Sequence, residues 1–162
     1  DTTRDPATIS VLQDLVTLFG AADVKVTISD DVTLELWSKL MVNCAYNAIS
    51  ALAQAPYARL AAQLDVREIQ HAIVREVVAL AQAEGIGLQL ESSLQAMERI
   101  AIAMPAQLSS TAQDMARRKP SEIDHLNGFI TRRGHELGVP VPINQTLTAL
   151  VKLVEAGYER GN

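Results

Sequence analysis

The stretch from Val32 to about Ala53 is the feature that most limits what this chain can fold into, because it is apolar over most of its length and reads as one long helix. On that helix Lys39, Asn43 and Asn47 fall at i, i+4 and i+8, so one ammonium and two amides line a single row. Leu36, Leu40, Met41 and Cys44 lie beside the row and are expected to face the core. Each polar group set into a mostly buried helix must find a partner or lose about 1–3 kcal/mol. Two readings follow. Lys39 extends its stem to water while the asparagines satisfy loop backbone, or the three side chains line a cleft.

Composition narrows the fold around that helix. With 162 residues, 48% hydrophobic and 20% charged, the chain suits one compact domain with a sizeable core. Aromatics are only 4%, while Ala and Leu abound, which favours close helix packing over a sheet. The expected class is therefore all-α, an orthogonal multi-helix bundle around the long central helix. A net charge of -5 with scattered basic residues speaks against nucleic acid and against an anionic membrane as partners. The run Arg117-Arg118-Lys119 is most simply a helix end, where cations oppose the dipole. Cys44 is the only cysteine, so no internal disulfide can form, and a cytoplasmic, reducing location is the expectation. No signal peptide and no membrane-length apolar run are recognisable.

Along the chain, Asp5-Pro6 reads as the cap and first residue of a helix that stops at Gly20, and Val24 to Ile28 alternates like one extended segment without a partner strand. Residues 1–30 are read as a linker helix and extended piece, and residues 31–162 as the helical domain. Asp30 or Asp31 caps the central helix, and Ala55-Pro56 breaks it before a short helix from Tyr57 to Gln63. Further helices run from Asp65 to Glu84 with Gly85 as the residue after the cap, from Glu91 or Ser92 to Pro105, and from Ser109 to Arg118. A helix capped by Ser121 is expected to continue to Leu137, and Asn144 to cap the last one after the stiff Val139-Pro140-Val141-Pro142 connector.

The familiar catalytic signatures are absent. Gly85-Ile86-Gly87 lacks the preceding strand and third glycine of a dinucleotide loop, and His71, His125 and His135 are spaced wrongly for a metal site. Cys44 has apolar neighbours, so packing is a better reading than nucleophile. What remains is Lys39 with Asn43 and Asn47, together with Ser109, Ser110 and Glu122. Taken singly, either serine reads as a cap and Glu122 as an acid favouring a helix dipole.

Taken together, three segments carry a resemblance: WSKLMVNCAYN, then LSSTAQDMARRKPSEIDHLNGFI, then HELGVPVPINQTL. In this order and spacing the chain resembles the C-terminal domain of the ketopantoate reductase (2-dehydropantoate 2-reductase) family, from about Val32 onward, a helical domain of the kind found in 6-phosphogluconate-dehydrogenase-like reductases. The resemblance implies an NADPH-dependent reductase that turns ketopantoate into pantoate for pantothenate biosynthesis. It also implies an N-terminal Rossmann domain that binds most of the NADPH and lies before this chain, in keeping with the start at Asp1. By resemblance Lys39 is the catalytic lysine, and Asn43 and Asn47 contact the substrate hydroxyl and carboxylate or orient that lysine. Ser110 holds the substrate carboxylate, and Glu122 reaches substrate or cofactor across the cleft. Tyr57 departs from members that carry a further polar substrate contact there, which bears on which 2-keto acid is taken. A second reading makes the chain a helical subunit-association domain, forming a homodimer through the Ala-rich helix from Asp65 to Glu84. On either reading the fragment alone is expected to lack turnover.

Overall fold

The computed structural model describes residues 5–158, and every regular element among them is helical, so the expected all-α class is the observed one. The Asp1 start lies outside the described residues. The order is α1 Pro6–Ala21, α2 Val32–Ala53, α3 Tyr57–Ala61, α4 Leu64–Ala83, α5 Leu90–Ala103, α6 Ser110–Ala116, a 3-10 turn Ile123–His125, α7 Asn127–Leu137 and α8 Pro142–Glu155.

The chain divides into two compact units, Asp1–Thr33 and Leu34–Asn162. In the first, Asp5 caps α1 by accepting the Thr8 N–H, and Pro6 occupies a position where a missing N–H costs nothing. None of α1 is buried, and Leu12, Leu15, Val16 and Phe19 line an apolar groove of about 290 Å³ with Val26, Ile28 and Val32.

In the second unit α2 supplies Met41, Cys44, Ala45, Ala48 and Ala51 to the core, and α4 supplies Ile73, Val74, Val77, Leu80 and Ala81. Helix α4 packs on α3, α5, α7 and α8. It ends as its sequence requires: Gly85 adopts φ +77°, which lets Ile86 N–H reach the Ala81 carbonyl at 2.8 Å and Gly85 N–H reach that of Gln82. Gly134 serves a different need. A Cβ there would lie 2.6 Å from Val141 Cγ2 and 2.8 Å from the Val139 carbonyl, so only glycine lets α7 sit this close to the connector.

Three local expectations are corrected. Leu36 is 61% exposed rather than core-facing. At about 100° per residue it stands only about 20° from Asn43 on the helix surface, on the polar row and away from the Met41–Cys44–Ala48 seam. The expected helix from Ser121 to Leu137 is divided by Leu126, at φ -107° and ψ -107°, into the 3-10 turn and α7. Ser121 instead accepts the Ile123 N–H and donates to Glu155 Oε1. Asn144 does not cap α8, which opens at Pro142. Glu76 of α4 does so, its carboxylate accepting the N–H groups of Ile143 and Asn144 at 2.9 and 3.0 Å.

Candidate active site

The polar row descends from water into the core. Lys39 is exposed, Asn43 half-buried and Asn47 4% exposed. Helix geometry accounts for the gradient, because each step of four residues rotates about 40° toward the buried seam while advancing about 6 Å. Spacing that looks like one straight stripe is therefore a shallow spiral, with its charged end outside.

Lys39 and Asn43 face a groove of about 380 Å³ between α2 and α5, whose far wall is Ala96, Ile100 and Met104. Glu35 and Ser38 complete the α2 wall with Val42. Glu35 stands four residues before Lys39, a spacing that suits an ion pair, yet none forms. Ser38 is engaged by its own helix, donating to the Leu34 carbonyl at 2.8 Å. Among the described residues the Lys39 ammonium and the Asn43 amide have no hydrogen-bonding or ionic partner. A cation and an amide side by side, facing the apolar α5 wall, can receive an anionic oxygen and give it a proton.

Two turns further on, the Asn47 carbonyl accepts from Ser109 Oγ at 3.2 Å, while Ser109 N–H donates to Ser50 Oγ at 3.3 Å. Ser109 also caps α6, accepting the Ala112 N–H at 3.0 Å. The serine pair thus divides its work: Ser109 is buried and structural, and Ser110 follows it as the exposed first residue of α6. Asn47 and Ser110 do not line the α2–α5 groove itself. Glu122 is exposed at the start of the 3-10 turn, and no contact within the described residues joins its side chain to the row.

Other candidates resolve into packing. Cys44 is fully buried, and burial pushes its thiol well up, so it is no nucleophile at neutral pH. Tyr57 packs against Tyr46, the rings tilted by 41° with centroids 4.5 Å apart, and burial raises both phenols. It belongs to the core and not to the groove. His71 is a surface-side partner of Glu98 at 3.3 Å. Among the described residues no group of three or more His, Cys, Asp or Glu could hold a metal, and no helix is long and apolar enough to cross a membrane.

Sequence reasoning missed the α5 wall. Ile100 and Met104 follow the four-residue spacing of one helix face, but nothing local says which helix that face meets. It also missed a second polar cluster on α2: Asn127 Nδ2 donates to the Cys44 carbonyl at 3.1 Å and to Asn144 Oδ1 at 2.9 Å, and Asn144 Nδ2 donates to Glu76 Oε2 at 2.7 Å.

Residues 31–155 match the family model described as ketopantoate reductase PanE/ApbA C terminal. The 2-dehydropantoate 2-reductase of Vibrio cholerae is 34% identical over 143 residues, covering 88% of this chain and 48% of that protein. The crystal structure of a PanE/ApbA family ketopantoate reductase from Ralstonia eutropha superposes with a TM-score of 0.86 at 50% identity, over 91% of this chain and 49% of that one. A D-mandelate dehydrogenase solved with NADH and anilino(oxo)acetate shares the fold, with a TM-score of 0.87 at 23% identity over 96% of this chain and 65% of its own. The chain spans about half the length of the curated relatives it matches.

Proposed function

The chain belongs to the ketopantoate reductase PanE/ApbA family, and from that premise we propose that it is the substrate-binding and catalytic half of an NADPH-dependent 2-dehydropantoate 2-reductase. The observation that carries this reading is the unpartnered Lys39 ammonium beside the unpartnered Asn43 amide on one groove wall. The chemistry that a bound nicotinamide would supply is a hydride for C2 of the keto acid. As the carbonyl π pair moves onto oxygen, Lys39 Nζ stabilises the growing negative charge and gives that oxygen its proton, then regains one from water. Asn43 orients the substrate through its amide without adding a charge that would compete with the substrate carboxylate. Asn47, buried at the inner end, holds the row in place, and the Ser110 hydroxyl donates to the carboxylate.

The cofactor's pyrophosphate needs a glycine-rich turn between a strand and a helix. Among the described residues there is no strand, and Gly85 and Gly138 close helix C-termini. We therefore assign that end of NADPH to a Rossmann domain preceding this chain, with residues 1–30 as its connecting helix and extended piece. Glu122, a free exposed carboxylate, is assigned to the nicotinamide side of the cleft. The alternative of a subunit-association domain explains neither the open ammonium nor the amide beside it.

The test is NADPH oxidation by the full-length protein with ketopantoate and a panel of other 2-keto acids. Ketopantoate should give the highest kcat/KM. Lys39→Ala should lower kcat by roughly 10²–10⁴-fold, the usual worth of a positioned acid, with NADPH affinity retained. A kcat equal to the parent's would remove Lys39 from catalysis.

A further inference from the structure

The groove that holds Lys39 is sorted by chemistry. Among the described residues every polar side chain lining it, Glu35, Ser38, Lys39 and Asn43, comes from α2, whereas the α5 side contributes only Ala96, Ile100 and Met104. These three stand four residues apart, so each lies about 40° around and about 6 Å along from the last, and together they make one continuous apolar strip. Ile100 is half-buried and packs against the core, while Met104 is 43% exposed and has apolar surface to offer. The strip is also preformed. Met104 caps α5, its N–H donating to the Ile100 carbonyl at 2.9 Å, and the chain beyond it is tied to α3, where Ala58 N–H donates to the Pro105 carbonyl and Tyr57 N–H to that of Gln107, both at 3.0 Å. A single exposed apolar side chain is ordinary, but an apolar strip held in place across a groove from an open ammonium and amide is not.

We infer that Ile100 and Met104 are specificity-determining residues, the surface against which the alkyl substituents on C3 of the 2-keto acid pack. The inference rests on the reading of Lys39 given above and deepens it. A 2-keto acid carries its charge and its reacting carbonyl on C1 and C2. Once those oxygens turn to Lys39 and Asn43, C3 and its substituents are left to the opposite side of the groove, where only carbon is on offer. A branched aliphatic C3 gains there by leaving water, whereas a charged substituent would be desolvated against Ile100 and Met104. Glu35, the other ionisable group lining the groove, has the wrong sign to hold an acidic substituent. Ketopantoate, with two methyl groups on C3, meets both demands. Methionine suits the task because its unbranched, polarisable side chain adapts to the shape set against it.

The test compares two substrates in NADPH oxidation by the full-length protein: ketopantoate, and 4-hydroxy-2-oxobutanoate, which keeps the carboxylate, carbonyl and hydroxyl and lacks both methyls. The parent should prefer ketopantoate by roughly 10²-fold in kcat/KM, about tenfold for each methyl. Met104→Ala and Ile100→Ala should each cut that preference about tenfold, by lowering kcat/KM for ketopantoate while the value for 4-hydroxy-2-oxobutanoate stays within about twofold. Met104 carries the decisive variant, because it is exposed and its truncation leaves no void in the core. Met104→Leu, which conserves volume, should keep the preference. Lys39→Ala should lower kcat for both substrates alike and leave the preference unchanged. A preference that survives both Met104→Ala and Ile100→Ala, or an equal loss on both substrates, would overturn the α5 assignment, and with Lys39→Ala still inactive it would leave the Lys39 reading standing. A parent protein that reduces neither substrate would overturn that reading, and the α5 assignment with it.

Discussion

Helix α2 carries two polar clusters made of similar parts, and they are built to opposite ends. On one side, the Cys44 carbonyl, Asn127, Asn144 and Glu76 form a closed chain of hydrogen bonds that leaves a single oxygen, Asn127 Oδ1, without a partner among the described residues. On the other, Lys39 and Asn43 offer a charge and an amide to a groove and bond to no other side chain or backbone group among the described residues. Both use asparagines and one ionisable group. What separates structure from site is therefore the state of the hydrogen bonds and not the residue types: the closed cluster ties α2, α4, α7 and α8 together, and the open one keeps its capacity for a ligand.

That contrast can be broken most severely by exchanging the two effects. Lys39→Ala should cost roughly 10²–10⁴-fold in kcat yet leave the unfolding free energy from urea titration within the scatter of surface substitutions, about 0.5 kcal/mol. Asn144→Ala should do the reverse. It strips the amide from Glu76 Oε2 and the acceptor from Asn127 inside the core, so unfolding should become easier by about 2–3 kcal/mol, while kcat per folded molecule holds. Loss of stability on removing Lys39, or intact stability without Asn144, would erase the distinction.

The same contrast explains what could be read from sequence. The open row is local, a four-residue spacing inside one helix, and it was legible together with α2, Asp5-Pro6, Gly85 and the break at Pro56. The closed cluster is assembled from residues 83, 17 and 68 positions apart, beyond the reach of any local pattern. Its consequences were misread for that reason. Asn144 looked like a cap because asparagine commonly is one, but Glu76 occupies that role from α4. Ser121-Glu122-Ile123-Asp124 looked like a helix start, but the chain turns again at Leu126, where α7 begins with the Asn127 that reaches the core. Leu36 was misjudged by reading hydrophobicity without its angular position on the helix. The assignments of Lys39, Asn43, Asn47, Ser110 and Glu122 to roles came from family resemblance, and the geometry supplies their surroundings.

A smaller effect sharpens the comparison at the serine pair, where a structural and a functional residue are adjacent. Ser109→Ala removes the α6 cap and the tie to the Asn47 carbonyl, and should lower stability by about 1–2 kcal/mol. Ser110→Ala should change stability by less than about 0.5 kcal/mol but raise the KM for the keto acid roughly tenfold, a loss of about 1.4 kcal/mol of binding. An unchanged KM would leave Ser110 as no more than the first residue of a helix.

The smallest effect concerns the closed cluster alone and is read through pH. Burial raises the Cys44 thiol far above its ordinary 9.0, whereas in the unfolded chain it titrates near that value. Below that pH both states hold the proton and stability is unaffected. Above it the unfolded chain releases a proton that the folded chain keeps, so folding loses free energy as pH rises, by about 0.8 kcal/mol at about half a pH unit above the ordinary value. Burial also raises Tyr46 and Tyr57, but from 10.0, so their loss sets in later. Between about pH 8 and about pH 9.5 the decline in unfolding free energy should therefore come mainly from Cys44. Cys44→Ala should be less stable throughout because it leaves a void in a packed core, yet its stability should decline less across that window. An identical decline in parent and variant would mean that the thiol reaches water in the folded state, and that the α2 face carrying the closed cluster opens as readily as the one carrying Lys39.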